Sequence, residues 1–258
     1  LLLHGLRDAR IEKGDTIRNP RLLDHEGNLI LYDRVIANPP FSLDKWGAVE
    51  AASDTEKLSF NRFRYGIPAK NIGDFAFVQH MLATLNHDGL CGVVMPHGVL
   101  FRGSGDGRIR KALLEEDLIE AVVGLPENLF AGTGIPAIIL ILNRNKAAEH
   151  RGKILFIHAS KEFEERPKKA VLGPNNIIDI VETFRNRKEV ERFSRVVEMK
   201  EIEENDFNLN ISRYIDTLEP EAPIDVDAAL KALWDAERAR NEAESRMNGL
   251  LKELGYVG

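Results

Sequence analysis

Asn38, Pro39, Pro40 and Phe41 follow directly on the apolar run Val35-Ile36-Ala37, and these four residue types in this order could do one kind of chemistry. Two successive prolines each fix φ and each remove a backbone N–H, so the turn is stiff and offers carbonyl oxygens as acceptors. The Asn38 carboxamide oxygen beside the Pro39 carbonyl makes a paired acceptor suited to an exocyclic amine, and Phe41 can stack on the planar ring that carries it. In adenine the amine lone pair is delocalised into the ring. Two acceptors holding its hydrogens favour a more tetrahedral nitrogen, and fixed dipoles stabilise the developing charge without a titrating base. Taken alone, the same residues are equally well read as a proline stop to a strand, followed by a phenylalanine packed in the core.

Ligands of open α/β sheets bind beyond the carboxyl ends of strands, so the elements around this turn matter. Residues 28–38 read as a buried strand approach with Val35 and Ile36 inside. Residues 73–89 read as a helix, with Phe75, Val78, Leu82 and Leu85 at helical spacing and Gly89 placed to end it. Strands are expected at 90–96, 118–126, 135–143 (fully buried) and 153–159, with a helix at 108–117 between the first two. This alternation argues for an α/β domain covered on both sheet faces. Residues 162–176 read as a charged connection, 177–193 as a helix, and 206–216 as an extended segment near the domain edge. Residues 225–254 read as a long helix with apolar ends and a charged middle; Leu230, Leu233, Trp234, Met247, Leu250, Leu251 and Leu254 suggest docking on another helix.

Among 258 residues, 43% are hydrophobic, enough for a real core, and the net charge of −6 argues against coating nucleic acid by bulk charge. It leaves room for local basic loops or a basic partner. The single cysteine, Cys91, excludes an internal disulfide and a cysteine-built metal site, and no metal is expected. No apolar run approaches the roughly 20 residues of a membrane span, and no signal peptide is evident, so the expectation is a cytoplasmic protein without a membrane partner. The sequence starts without methionine inside what reads as an apolar helix, as a fragment would.

Several other residues invite a functional reading and a plainer one. Gly103 to Gly107 superficially resembles a phosphate-binding turn but lacks compact strand-turn-helix spacing, and a mobile surface loop is the expectation. Arg62, Arg64, Lys70, Arg102, Arg108, Arg110 and Lys111 could contact phosphates or simply form a solvated face. His80, His87 and His97 lack ligand spacing and are read as structural, and Cys91 as packing.

Together, residues 33–41, 71–82, 92–103, 109–143 and 205–216 closely resemble the modification subunit of type I restriction-modification enzymes. The stretches include "DRVIANPPF", "GDFAFVQHML", "MPHGVLFRG", "LPENLFAGTGIP" and "NLNISRYID", and the resemblance runs in order from about Leu1 to Tyr214. It implies a Rossmann-like methyltransferase fold, incomplete at its N-terminus, over residues 1–216, with residues 217–258 as a linker and partner-docking helix. The implied activity is transfer of methyl from S-adenosylmethionine to adenine N6 in duplex DNA. On this resemblance Asn38 and Pro39 hold the flipped adenine's amine within a catalytic turn that includes Pro40. Phe41 stacks on the base, with Phe130 as a second aromatic wall. Asp15 and Ile17 of "KGDTI" match the contacts to the cofactor's adenine, with Asn38 and Pro39 bordering the cofactor; read from the residues alone, Asp15 is equally a helix or turn cap. The implied partners are a specificity subunit, which chooses the DNA sequence, and a restriction subunit. The family's glycine-rich cofactor loop has no counterpart here, so the chain alone is expected to be inactive. Two alternatives stand beside this reading: a binding or scaffold module for the specificity subunit, and an amino-methyltransferase acting on cytosine N4 or a glutamine amide.

Overall fold

The computed structural model describes residue 5 and residues 8–53, 60–130, 134–166, 169–217 and 225–256. In chain order the elements are β1 (Tyr32–Ala37), α1 (Ala48–Ser53), α2 (Asp74–Ala83), β2 (Leu85–Pro96), α3 (Ser104–Glu115), β3 (Ile119–Gly124), β4 (Ala137–Asn143), β5 (Lys153–His158), β6 (Glu164–Arg166), β7 (Lys169–Val171), α4 (Pro174–Asn186), β8 (Ser194–Glu198), α5 (Met199–Glu204) and α6 (Val226–Glu253). Six strands form one sheet in the order β1-β2-β4-β3-β5-β8, and β6-β7 form a separate pair. β1 runs parallel to β2, and β3 to β5. β4 is antiparallel to both β2 and β3, and β8 is antiparallel to β5. The carboxyl ends of β1, β2, β3 and β5 therefore share one end of the sheet, as ligand-binding α/β sheets require.

On one face, Phe75, Val78 and Leu82 of α2 and Ile109, Leu113 and Leu114 of α3 bury against Cys91, Val93, Met95, Leu140 and Phe156. On the other, Ile180 and Phe184 of α4 pack on Ala121, Val123, Leu155 and Ile157. A third, smaller cluster joins Ile17, Trp46, Ala48 and Ala76. Helices cover both faces of the sheet's centre, which explains why β3 is buried at every position.

Several boundaries differ from those expected. Ile36, expected inside, is 87% exposed, whereas its neighbour Val35 packs against the core. Alternate residues of a strand face opposite ways, and β1 lies at the sheet edge, where only the α2 face is covered. Ile139 and Ile141 of β4 are half-buried against the α4-side cluster rather than fully buried, and that strand starts at Ala137. α2 ends at Ala83 because Thr84 Oγ1 donates to the carbonyls of Met81 and His80 and the chain turns directly into β2. Gly89 then serves a different purpose from ending a helix: a Cβ there would lie 2.5 Å from the Leu85 side chain. The stretch Gly103 to Gly107, expected as a mobile loop, forms the first turn of α3 with Asp106 buried.

α4 begins and ends earlier than 177–193, with Arg187 taking a left-handed conformation at its end. The chain then forms the unanticipated β8 and α5. Residues 206–216 are not extended; they form turns and a short 3₁₀ segment that bury Leu209, Ile211, Tyr214 and Ile215. Tyr214 stacks on Phe156 with ring centroids 4.5 Å apart.

The chain divides into two compact units, Leu1–Thr217 and Leu218–Gly258. The second contains α6, a 28-residue helix capped by Asp225, whose side chain accepts from the Ala228 amide at 3.0 Å. No residue of α6 is buried. Among the described residues no helix is long and apolar enough to cross a membrane.

Gly73 precedes α2, and a Cβ built there would lie 2.8 Å from Cβ and Cγ of Trp46, a 1%-exposed ring whose Nε1 donates to the Ala69 carbonyl. Gly73→Ala is therefore expected to cost about 1–3 kcal/mol through overpacking. Urea unfolding checks this: the midpoint should fall with an unchanged slope, and an unchanged midpoint would show that Trp46 can yield.

Candidate active site at the carboxyl ends of the strands

Asn38 leaves the end of β1 beside β2, one residue after the Ala37–Val93 pairing. Its side chain is exposed, and among the described residues its carboxamide has no hydrogen-bonding partner. Pro39 is buried and Pro40 exposed, so the first proline anchors the turn while the second faces outward. Phe41 is half-buried against the α4-side core, and Phe130, on the loop after β3, meets it edge to face with ring centroids 6.3 Å apart. The structure thus brings Asn38, Pro39, Pro40, Phe41 and Phe130 together. A base stacked on one of these rings would have the other along its border.

The turn is held from outside. The Ser42 amide donates to Asp74 Oδ1 at 2.7 Å, and the Gly73 amide donates to the Leu43 carbonyl at 3.0 Å. Arg102 in turn donates to Asp74 Oδ2, and Asp74 is 1% exposed. Sequence reasoning missed Asp74, because an acidic residue opening a helix is ordinarily explained by the helix dipole. No local pattern marks it as the acceptor for an amide 32 residues earlier.

Asp15 and Ile17 have different surroundings. Asp15 Oδ1 accepts from the amides of Ile17 (3.0 Å) and Arg18 (2.9 Å), while Oδ2 accepts from the Arg18 guanidinium at 2.8 Å. Partial burial opposes ionisation, yet these donors hold its carboxyl below the usual range. The turn-cap arrangement describes it here. Oδ2 keeps acceptor capacity on the exposed side for an amine. Ile17, 4% exposed, is committed to the Trp46 cluster and has little surface to offer a cofactor ring. A cavity of about 420 Å³ beside β1 is lined by Gly14, Thr16, Arg34, Ile36 and His80 among others, but not by Asp15, Ile17, Asn38 or Phe41.

The basic residues sort clearly. Arg110, 5% exposed, donates to the carbonyls of Val99, Arg102 and Phe207; Arg62, 2% exposed, donates to those of Thr16 and Ile17. Both brace the backbone internally, so neither of the expected alternatives, phosphate contact or a solvated face, holds for them. Arg64 pairs with Glu116 at 2.6 Å, and Lys111 sits 4.7 Å from the Phe207 ring centroid. Lys70 and Arg108 are exposed. Burial pushes the Cys91 thiol up to about 12, which makes it inert as a nucleophile. Burial also lowers His97, whose ring packs edge to face on Phe101. Among the described residues, no cluster of three or more His, Cys, Asp or Glu could hold a metal ion.

A family model described as N-6 DNA Methylase matches residues 1–222. The chain belongs to that family. It is 38% identical, over 100% of its length, to the type I restriction enzyme MjaVII methylase subunit of Methanocaldococcus jannaschii, covering 45% of that protein. It is 32% identical, over 94% of its length, to the HindI methylase subunit of Haemophilus influenzae, covering 55%. The crystal structure of a type I restriction-modification methyltransferase subunit from Streptococcus thermophilus superposes on 84% of this chain and 44% of that one, with a TM-score of 0.74 and 36% identity. The α/β architecture is therefore that of a type I methyltransferase subunit, and the chain spans about half the length of the curated relatives it matches.

His80, on α2, is lowered to about 4, first by burial and then by the Arg62 guanidinium, which lies 3.2 Å from its Nδ1. An unfolded histidine titrates near 6.5, so between about pH 6.5 and 4 the unfolded chain binds more protons, and stability is lost as pH falls through this window. Comparing urea midpoints of the native protein and His80→Gln at pH 7 and 4.5 checks this. The native protein should lose more stability than the variant on acidification.

Proposed function

We propose that the chain carries the target-base side of an adenine-N6 DNA methyltransferase, within the modification subunit of a type I restriction-modification system. The observation that carries the reading is the exposed Asn38 carboxamide at the end of β1, unpartnered among the described residues, set beside Pro39 and bordered by Phe41 and Phe130. Asn38 Oδ1 and the Pro39 carbonyl would accept the two hydrogens of the target amine and orient its lone pair. Phe41 would take the face of a base turned out of the duplex, replacing the stacking it leaves behind. Nothing in the turn must titrate, and burial holds the Cys91 thiol of β2 and the His97 imidazole just after it towards their neutral forms.

S-Adenosylmethionine is the methyl donor this family membership favours, and when bound it supplies an electrophilic methyl group. Asp15 fits as an acceptor for its adenine amine through the exposed side of Oδ2; Ile17 fits less well, being buried. In a full-length subunit carrying this segment, Asn38→Ala should lower single-turnover methyl transfer to duplex DNA at least about 100-fold, as loss of a preorganised polar contact does elsewhere, while donor binding persists. Phe41→Ala should weaken productive base binding by about 1–3 kcal/mol. Labelled-methyl transfer with calorimetric titration of the donor reads both; near-normal turnover of Asn38→Ala would overturn the assignment.

α6 supports a partner reading. Val226, Leu230 and Leu233 at one end and Met247, Leu251 and Leu254 at the other fall on an alternating four-three spacing, the pattern of a helix-packing seam. Leu233 is 52% exposed and Leu254 69%. This seam would dock on a specificity subunit. Deleting residues 224–258 should leave the methyltransferase unit cooperatively folded and abolish co-purification with that subunit. Retained complex, or collapse of the unit, would count against it.

A further inference from the structure

We propose that Asp74 is a positioning residue for the Asn38–Phe41 turn, holding it through the Ser42 amide and held in turn by Arg102. The proposal rests on the reading of Asn38 and Pro39 as amine acceptors. Two prolines leave the turn without two of its backbone donors, so its conformation depends on bonds made just beyond it. Ser42 has φ of 48°, in the left-handed region that non-glycine residues seldom occupy, and so needs external support. That support comes on both sides: the Ser42 amide on Asp74 Oδ1 and the Leu43 carbonyl under the Gly73 amide. Both clips belong to the start of α2, so the turn cannot shift without moving that helix.

Asp74 is buried, so its side chain is fixed by a charged partner rather than by water. Arg102 supplies it, with its Nε 3.3 Å from Asp106 Oδ2 in the first turn of α3. The backbone of Arg102 is itself held: its amide donates to the Gly98 carbonyl at 2.9 Å, and its carbonyl accepts from Arg110 at 2.8 Å. Gly98 lies in the 3₁₀ turn His97–Leu100 at the end of β2. One chain of polar contacts therefore locks the turn after β1 to the turn after β2, and so sets where Asn38 stands at the sheet's end.

The test has two arms. In this chain, amide exchange at Ser42 should be at least about tenfold faster in Asp74→Ala than in Asp74→Asn, whose side-chain oxygen still accepts, with the amides of Val93 and Phe156 unchanged. In a full-length subunit, Asp74→Ala should lower kcat about 100-fold, the scale of an ångström-level misplacement, with KM for donor and DNA within about twofold of native. Asp74→Asn should restore most of the rate. If Asp74→Ala does not fold, the double variant Asp74→Ala/Arg102→Met, which removes the partner charge as well, should show the same loss of kcat. Native kcat in either folded variant, or equal Ser42 exchange in the Ala and Asn variants, overturns the inference. A fully active Asn38→Ala overturns the reading it rests on; an inactive Asn38→Ala beside an active Asp74→Ala overturns this inference alone.

Discussion

The parallel pairing of β1 with β2 is the constraint on which the rest depends. Two parallel strands cannot be joined by a tight turn, so the 47 residues between Ala37 and Leu85 must cross one face of the sheet. That crossing places α2 over the core, puts Gly73 and Asp74 within reach of the turn it has just left, and returns the chain to start β2 beside β1. Asn38 stands at a sheet end with an acceptor unspent because the strand stops there, and the strand stops there because two prolines follow. The same crossover leaves one face of the edge strand uncovered, which is why Ile36 meets solvent.

Buried charge is used as internal bracing. Arg62, Arg102 and Arg110 each reach across the fold to carbonyls or carboxylates that no helix or strand satisfies. A guanidinium suits this work because its planar fork serves two or three acceptors at once. At the opposite end of the sheet, Glu120 at the start of β3 receives Arg187 and the Asn143 carboxamide, and Lys146 pairs with Asp117 at 2.6 Å. These side chains are spent on the fold itself, in a chain whose net charge is −6.

The chemistry proposed for the site and the electrostatics around it agree. Methyl acceptance by an amine needs oriented oxygens more than proton transfer, and burial holds the Cys91 thiol and the His97 imidazole towards their neutral forms. The arrangement therefore has little to gain from a neutral-pH base.

The place of Asn-Pro-Pro-Phe at the end of a strand, the α/β alternation, the packing of Cys91 and the terminal helix were legible in the amino-acid order, because each depends on residue type and short spacing. Proline stiffness, helical periodicity and apolar run length are local properties. What the tertiary structure decided was non-local: that Phe130 reaches Phe41 from the loop after β3, that Asp74 serves Ser42, and that Arg110 points inward. It also decided that residues 206–216 fill the core beside Phe156. Such contacts depend on which faces a folded sheet covers and on where its crossovers return. Neither is encoded within the few residues that any sequence pattern spans.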